Sequence, residues 1–139
     1  MSDALIRRYY ACLNDRCMDD AAALFTADAV LEHPPFCQMP RGDLSHHFAV
    51  LWLHAFPDGR LAIKHVEQRG DAMCEVDLTG TGTHTRDFDL GSFGLFKATG
   101  GRVATIRFRE LLEIRAGKIS YSNVSLDLQD LVRQLTQAE

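Results

Sequence analysis

The constraint that bears hardest on this chain is a change of hydrophobic period near residue 60. Before it, apolar side chains recur every three or four residues, as on one face of a helix; from Leu61 onward they alternate with polar ones, as on a strand with one buried face. Leu5, Ile6, Tyr9, Cys12 and Leu13 make the first helical stripe, closed by Asn14-Asp15. Asp19 is placed to cap a second short helix, Asp20 to Phe25, because its carboxylate can accept from the free amides of a first turn. Ala29 to His33 reads as a strand stopped by Pro34-Pro35, followed by a loop to Gly42. Asp43 reads as the cap of a third helix ending near Phe56, before Pro57 and the turn Asp58-Gly59. Leu44, Phe48, Leu51, Trp52 and Ala55 form one face of it, and Val50 and Leu53 add apolar surface opposite. This helix is therefore expected to meet a partner as well as its own sheet.

The alternating runs cover Leu61 to Gln68, Met73 to Thr85, Val103 to Ile114 and Ile119 to Leu126, with Phe93 to Phe96 as a further short strand. Arg69-Gly70-Asp71, Thr99-Gly100-Gly101 and Ala116-Gly117-Lys118 separate them, and turns this short predict antiparallel hairpins. Leu128, Leu131, Val132 and Leu135 read as a terminal helix. Helices first and a long meander afterwards give one α+β domain over all 139 residues, a curved sheet wrapped around the helices. A cone of this kind has an apolar interior and an open mouth, where small-molecule sites tend to form.

Charge narrows the partners. Fifteen Lys and Arg against nineteen Asp and Glu give a formal charge of -4, and no basic run exceeds Arg7-Arg8, so nucleic acid is not an expected partner. No stretch approaches the ~18 apolar residues of a membrane span, and Met1-Ser2-Asp3-Ala4 leads straight into the amphipathic pattern, so a cytoplasmic location is expected. Cys12, Cys17, Cys37 and Cys74 contain no C-x-x-C, which favours reduced thiols over a disulfide framework or zinc site. His46, His47 and His54 lack the H-E-x-x-H spacing, so no metal is expected. Gly80-Thr81-Gly82 lies inside a strand pattern with no helix after it, and is neither a dinucleotide fingerprint nor a phosphate loop.

Alternation also sorts the polar residues by face. Cys74, Val76, Leu78, Gly80, Gly82 and His84 share one side, so His84 points toward the apolar interior; the two glycines bend the strand or leave room for a ligand. Ala104, Ile106, Phe108, Leu112 and Ile114 share a face that Glu110 interrupts. An inward carboxylate has to be paired, protonated or wet, and its pKa is expected to rise, which suits general acid/base work. The competing reading is an ion pair with Arg107 or Arg109. Ile119, Tyr121, Asn123, Ser125 and Asp127 alternate in the last strand, so Asp127 is either a carboxylate at the cavity mouth or the cap of the terminal helix; spacing favours the cap.

Several stretches in order resemble the SnoaL-like polyketide cyclase family, within the superfamily of nuclear transport factor two and ketosteroid isomerase. They are Tyr9-Tyr10 through Asn14, Asp19, Ala23-Leu24-Phe25, and Asp28-Ala29-Val30 to His33-Pro34; then Ala55-Phe56-Pro57-Asp58, Gly82-Thr83-His84-Thr85, and Gly117-Lys118-Ile119 with Asp127 and Gln134-Leu135. The resemblance implies a cystatin-like cone-shaped barrel with a mixed but mostly antiparallel sheet, a homodimer through that sheet, and a deep pocket for an apolar small molecule. It also implies ring closure or isomerisation next to a carbonyl without a cofactor. Asp127 matches the family's acidic residue and His84 its histidine, with Glu110 the second inward carboxylate. Resemblance to the isomerase matches Tyr9 with an oxyanion tyrosine and puts His33 at the catalytic-base position. Asn123 stands where many relatives carry an aromatic residue, and Asn14, Phe48 and Trp52 complete the expected pocket lining. A binding or assembly module on the same fold is the alternative, since fold does not fix function.

Overall fold

The computed structural model describes residues 2–33, 37–40, 48–89, 95–99 and 103–136. Helix α1 (Ser2–Asn14) buries Ile6, Tyr9, Tyr10 and Leu13, which are spaced as one face of a helix. It ends in a Schellman turn: Arg16, at φ 62°, donates its N–H to the Leu13 carbonyl at 3.0 Å, and Cys17 donates to that of Cys12 at 2.8 Å. A non-glycine residue in this left-handed region needs support. Arg16 has it, because its guanidinium donates to the carbonyls of Asn14, Pro57 and Gly59.

Helix α2 (Met18–Ala22) starts and ends earlier than its sequence suggests: Cys17 occupies the N-cap, Asp19 falls in the first turn, and Phe25 opens strand β1 (Phe25–His33). Phe25 is drawn into the sheet because its ring is buried edge-on against Tyr9, with centroids 5.4 Å apart. Strand β2 (Cys37–Pro40) pairs antiparallel with β1 where a loop was expected; it is too short to show alternation, and a proline is tolerated at a sheet edge. Helix α3 (Phe48–Ala55) follows; its expected cap Asp43, together with His46 and His47, lies outside the described residues.

Strands β3 (Arg60–Arg69), β4 (Met73–Thr83), β7 (Val103–Arg115) and β8 (Lys118–Leu126) pair antiparallel in that order, and β8 pairs parallel with β1. The main sheet therefore runs β2-β1-β8-β7-β4-β3, mixed but mostly antiparallel. Strands β5 (Phe88–Asp89) and β6 (Leu95–Phe96) form a separate two-stranded pair. Ala116 and Gly117, at φ 53° and 76°, make the tight turn between β7 and β8, where two positive φ values match the twist of a hairpin.

Helix α3 packs onto the inner face through glycines. A Cβ on Gly80 would sit 3.1 Å from the Trp52 indole, and one on Gly82 would sit 2.8 Å from Phe56 Cβ. The room those glycines leave is thus taken by the protein's own aromatic side chains. Helix α4 (Leu128–Thr136) buries Leu131 and Leu135 and covers the stretch of β7 that runs beyond the end of β8. There the Gln134 amide accepts from the Thr105 N–H at 2.9 Å and donates to its carbonyl at 2.6 Å, standing in for a strand.

One irregularity decides the facing of β8. Its register with β7 slips between Glu113–Tyr121 and Ile114–Ile119, leaving Ser120 as an extra residue. A slip of one residue turns every later side chain over. Ile119 is buried, and beyond the bulge Ser122 and Val124 point inward while Tyr121, Asn123, Ser125 and Asp127 do not. The expected single face from Ile119 to Asp127 is corrected here.

Candidate functional site

Glu110 lies in the interior of β7, opposite Val76 of β4 and Val124 of β8, on the face it shares with Ile106, Phe108 and Leu112. It is fully buried, at 0% exposure. A carboxylate there is stable only if hydrogen bonds replace its lost water. The Tyr10 hydroxyl donates to Oε1 and the Ser122 hydroxyl to Oε2, so both oxygens are engaged from different elements. Arg109 does not take part: it points to the outer face and pairs with Asp77 at 2.8 Å and Glu75 at 3.9 Å. The ion-pair reading of Glu110 with that arginine is thereby set aside.

Tyr9 lies beside this group, its ring centroid 4.8 Å from that of Tyr10. Burial, and after it the charge of Glu110, push both phenols well above their usual value of about 10. Both hydroxyls therefore stay protonated. The same shift has a consequence for stability: unfolded phenols ionise near pH 10, whereas the folded ones stay neutral, so higher pH favours the unfolded chain. The contribution of the two phenols is expected to be fully present below about pH 10 and to fall above it, less steeply in Tyr10→Phe, as urea denaturation between about pH 8 and 11 would record.

Tyr10 also reaches a surface hollow. This hollow of about 430 Å³ between α1 and β3 is lined by Arg7, Tyr10, Asn14, Arg60, Leu61 and Ile63. Asn14 lines it but is already committed, since its amide donates to the Leu61 carbonyl at 2.9 Å and accepts from the Leu61 N–H at 2.8 Å. Its part is to tie α1 to the edge strand β3.

The other expected site residues are dispersed. His84 is buried just beyond the far end of β4, its ring stacked on Phe56 at 5.0 Å, whereas Glu110 pairs near the start of that strand. Trp52 is fully buried, stacked on Phe56 at 3.9 Å and edge-on to Phe88 at 6.0 Å. Asp127 is exposed and accepts from the Asp130 N–H at 3.1 Å, the capping arrangement. It also lines a second hollow, about 570 Å³, on the outer face of the sheet with Lys64, Asp77, Thr105, Arg107 and Arg109. Asn123 faces outward too, donating to the Tyr121 hydroxyl at 3.0 Å, which in turn donates to Glu32. The side chains of His33 and Phe48 lie outside the described residues.

Tyr10 and Ser122 were not singled out by sequence. Tyr10 was findable, since it completes the buried stripe of α1 with Ile6 and Leu13; Ser122 was hidden behind the bulge at Ser120. Among the described residues, no three His, Cys, Asp or Glu side chains gather as metal ligands, and no helix is long and apolar enough to cross a membrane.

The model of one protein family, described as SnoaL-like polyketide cyclase, matches residues 3–135. Comparison with curated proteins finds no match. Among solved structures, a candidate SnoaL-like polyketide cyclase of Jannaschia sp. CCS1 is similar at a TM-score of 0.81 and 13% identity, over 98% of this chain and 92% of that one. AclR of Streptomyces galilaeus, a candidate hydroxylase, is similar at 0.79 and 20% identity, over 99% and 96% of the two chains. TsrD of Streptomyces laurentii is similar at 0.77 and 17% identity, also over 99% and 96%. At such identities the structural likenesses speak to the fold.

Proposed function

The chain belongs to the SnoaL-like polyketide cyclase family, and from that premise we propose that it is a cofactor-free cyclase or isomerase acting on an apolar carbonyl compound, with Glu110 as the acid/base group. The observation that carries this reading is the buried Glu110 carboxylate with a hydroxyl on each oxygen, one of them from Tyr10, which also lines the α1–β3 hollow. Glu110 takes a proton from the carbon next to a carbonyl. Tyr10, kept protonated, turns its O–H to the oxygen where negative charge develops, while Ser122 continues to hold the carboxylate. The enolate carbon then adds to a second carbonyl of the same molecule, and Glu110 returns the proton to the new alkoxide.

Of the three acid/base candidates this gives the role to Glu110 alone, because Asp127 caps α4 and His84 lies at the other end of β4. We also place a homodimer contact on the charged outer face of the sheet, and the protein in the cytoplasm. A second reading, a non-catalytic assembly module on the same fold, is favoured by Trp52 and Phe56 filling the space at Gly80 and Gly82. Deuterium uptake separates the two. Incubated in D2O with a panel of enolisable apolar di- and triketones, the protein is expected to accelerate exchange at the carbon between carbonyls, and Glu110→Gln is not. No accelerated exchange by the wild-type protein would leave the non-catalytic module as the reading, and equal acceleration by the variant would take the acid/base role from Glu110.

A further inference from the structure

The chemistry at Glu110 leaves two thiols at the foot of α1 unused. Cys12 is half-buried in the last turn of that helix, and Cys17 is exposed just beyond it. The Schellman turn brings them together, because the Cys17 N–H donates to the Cys12 carbonyl at 2.8 Å. With standard covalent lengths, that hydrogen bond keeps the two Cα atoms within about 6.7 Å. A disulfide spans roughly 4.4–6.8 Å between Cα atoms. Residues at these two places of a Schellman turn also tend to lay their side chains against each other. The two thiols do lie within electrostatic reach: burial, then Asp20, then Cys17 push the Cys12 thiol up. The turn does not depend on a disulfide for its shape, since Arg16 holds it through the carbonyls of Asn14, Pro57 and Gly59. The geometry is therefore preformed in the reduced chain.

We propose that Cys12 and Cys17 are a redox modification site that closes to an intramolecular disulfide by exchange with a low-molecular-weight disulfide. The exposed Cys17 thiolate attacks one sulfur of that reagent, forming a mixed disulfide and releasing one thiol. In doing so it gives up a weak contact of its Sγ with the Asp15 carbonyl at 3.7 Å. The Cys12 thiolate then attacks the Cys17 sulfur, forming the Cys12–Cys17 bond and releasing a second thiol. Two protein thiols lose two electrons and two protons, and the reagent gains them as two thiols. Cys74 is not drawn in, being buried and bonded through its thiol to Gln68 at 3.2 Å. Closure pins the end of the helix that carries Tyr9 and Tyr10.

The test is oxidation of the full chain with oxidised glutathione, quenching in acid, alkylation of free thiols and peptide mass mapping. The expected product links Cys12 to Cys17, is lighter by two hydrogens than the dithiol, and reverts with dithiothreitol. Cys12→Ser is expected to stop at glutathione on Cys17, and Cys17→Ser to leave Cys12 as a free, alkylated thiol; circular dichroism of both variants checks that α1 persists. Glutathione on Cys17 with Cys12 still alkylated in the wild-type chain, or both thiols alkylated, would overturn the proposal. So would glutathione on Cys12 in Cys17→Ser at the rate seen at Cys17.

Discussion

Glu110→Gln is expected to lower turnover of an enolisable carbonyl substrate by about 10²–10⁴-fold, the usual worth of a positioned acid/base group. The amide has the shape of the carboxyl group, keeps an oxygen for the Tyr10 hydroxyl, and offers an N–H that the Ser122 hydroxyl can accept by rotating. The fold should therefore survive the change while the proton acceptor is lost. Glu110→Leu is the contrasting case. It leaves the Tyr10 and Ser122 hydroxyls without their shared partner, at a cost of about 1–3 kcal/mol for each buried group left unsatisfied. Steady-state rates and urea denaturation of the two variants separate chemistry from stability. If Gln retains wild-type turnover while Leu lowers only stability, Glu110 is a structural anchor between α1 and the sheet, and the acid/base role is lost.

The same residues show how far the sequence could be read. Helix α1 and the four long strands were legible because each carries several apolar residues at one unbroken period. Glu110 stood out for the same reason, as a charge where the alternation of β7 demanded an apolar side chain. What escaped were features that no period encodes. Ser120 reads as one more polar residue in a strand, yet as the extra residue of a bulge it turns Ser122 toward Glu110 and Asn123 and Asp127 away from it. The glycines of β4 were seen to make room, but what fills that room depends on how α3 docks, which is a long-range packing fact. For His84, alternation gave the inward direction correctly and could not give the distance along the strand that keeps it from Glu110.

Trp52→Ala is expected to destabilise the fold by about 3–5 kcal/mol, at the upper end of core truncations. The indole is fully buried, stacked on Phe56 with planes 16° apart, and meets Phe88 edge-on, so its loss empties the layer that joins α3 to β4. The neighbourhood cannot collapse easily, because Gly80 has no side chain to move into the space. Gly80→Ala alone places a methyl about 3.1 Å from the indole and is expected to cost roughly 1–3 kcal/mol by overpacking. Combined, the two changes should cost less than their sum by about 0.5–3 kcal/mol, since the new methyl enters the cavity left by Trp52. Urea denaturation of the four proteins in this cycle measures that coupling directly. A strictly additive result would mean that the glycine is not there to seat the tryptophan.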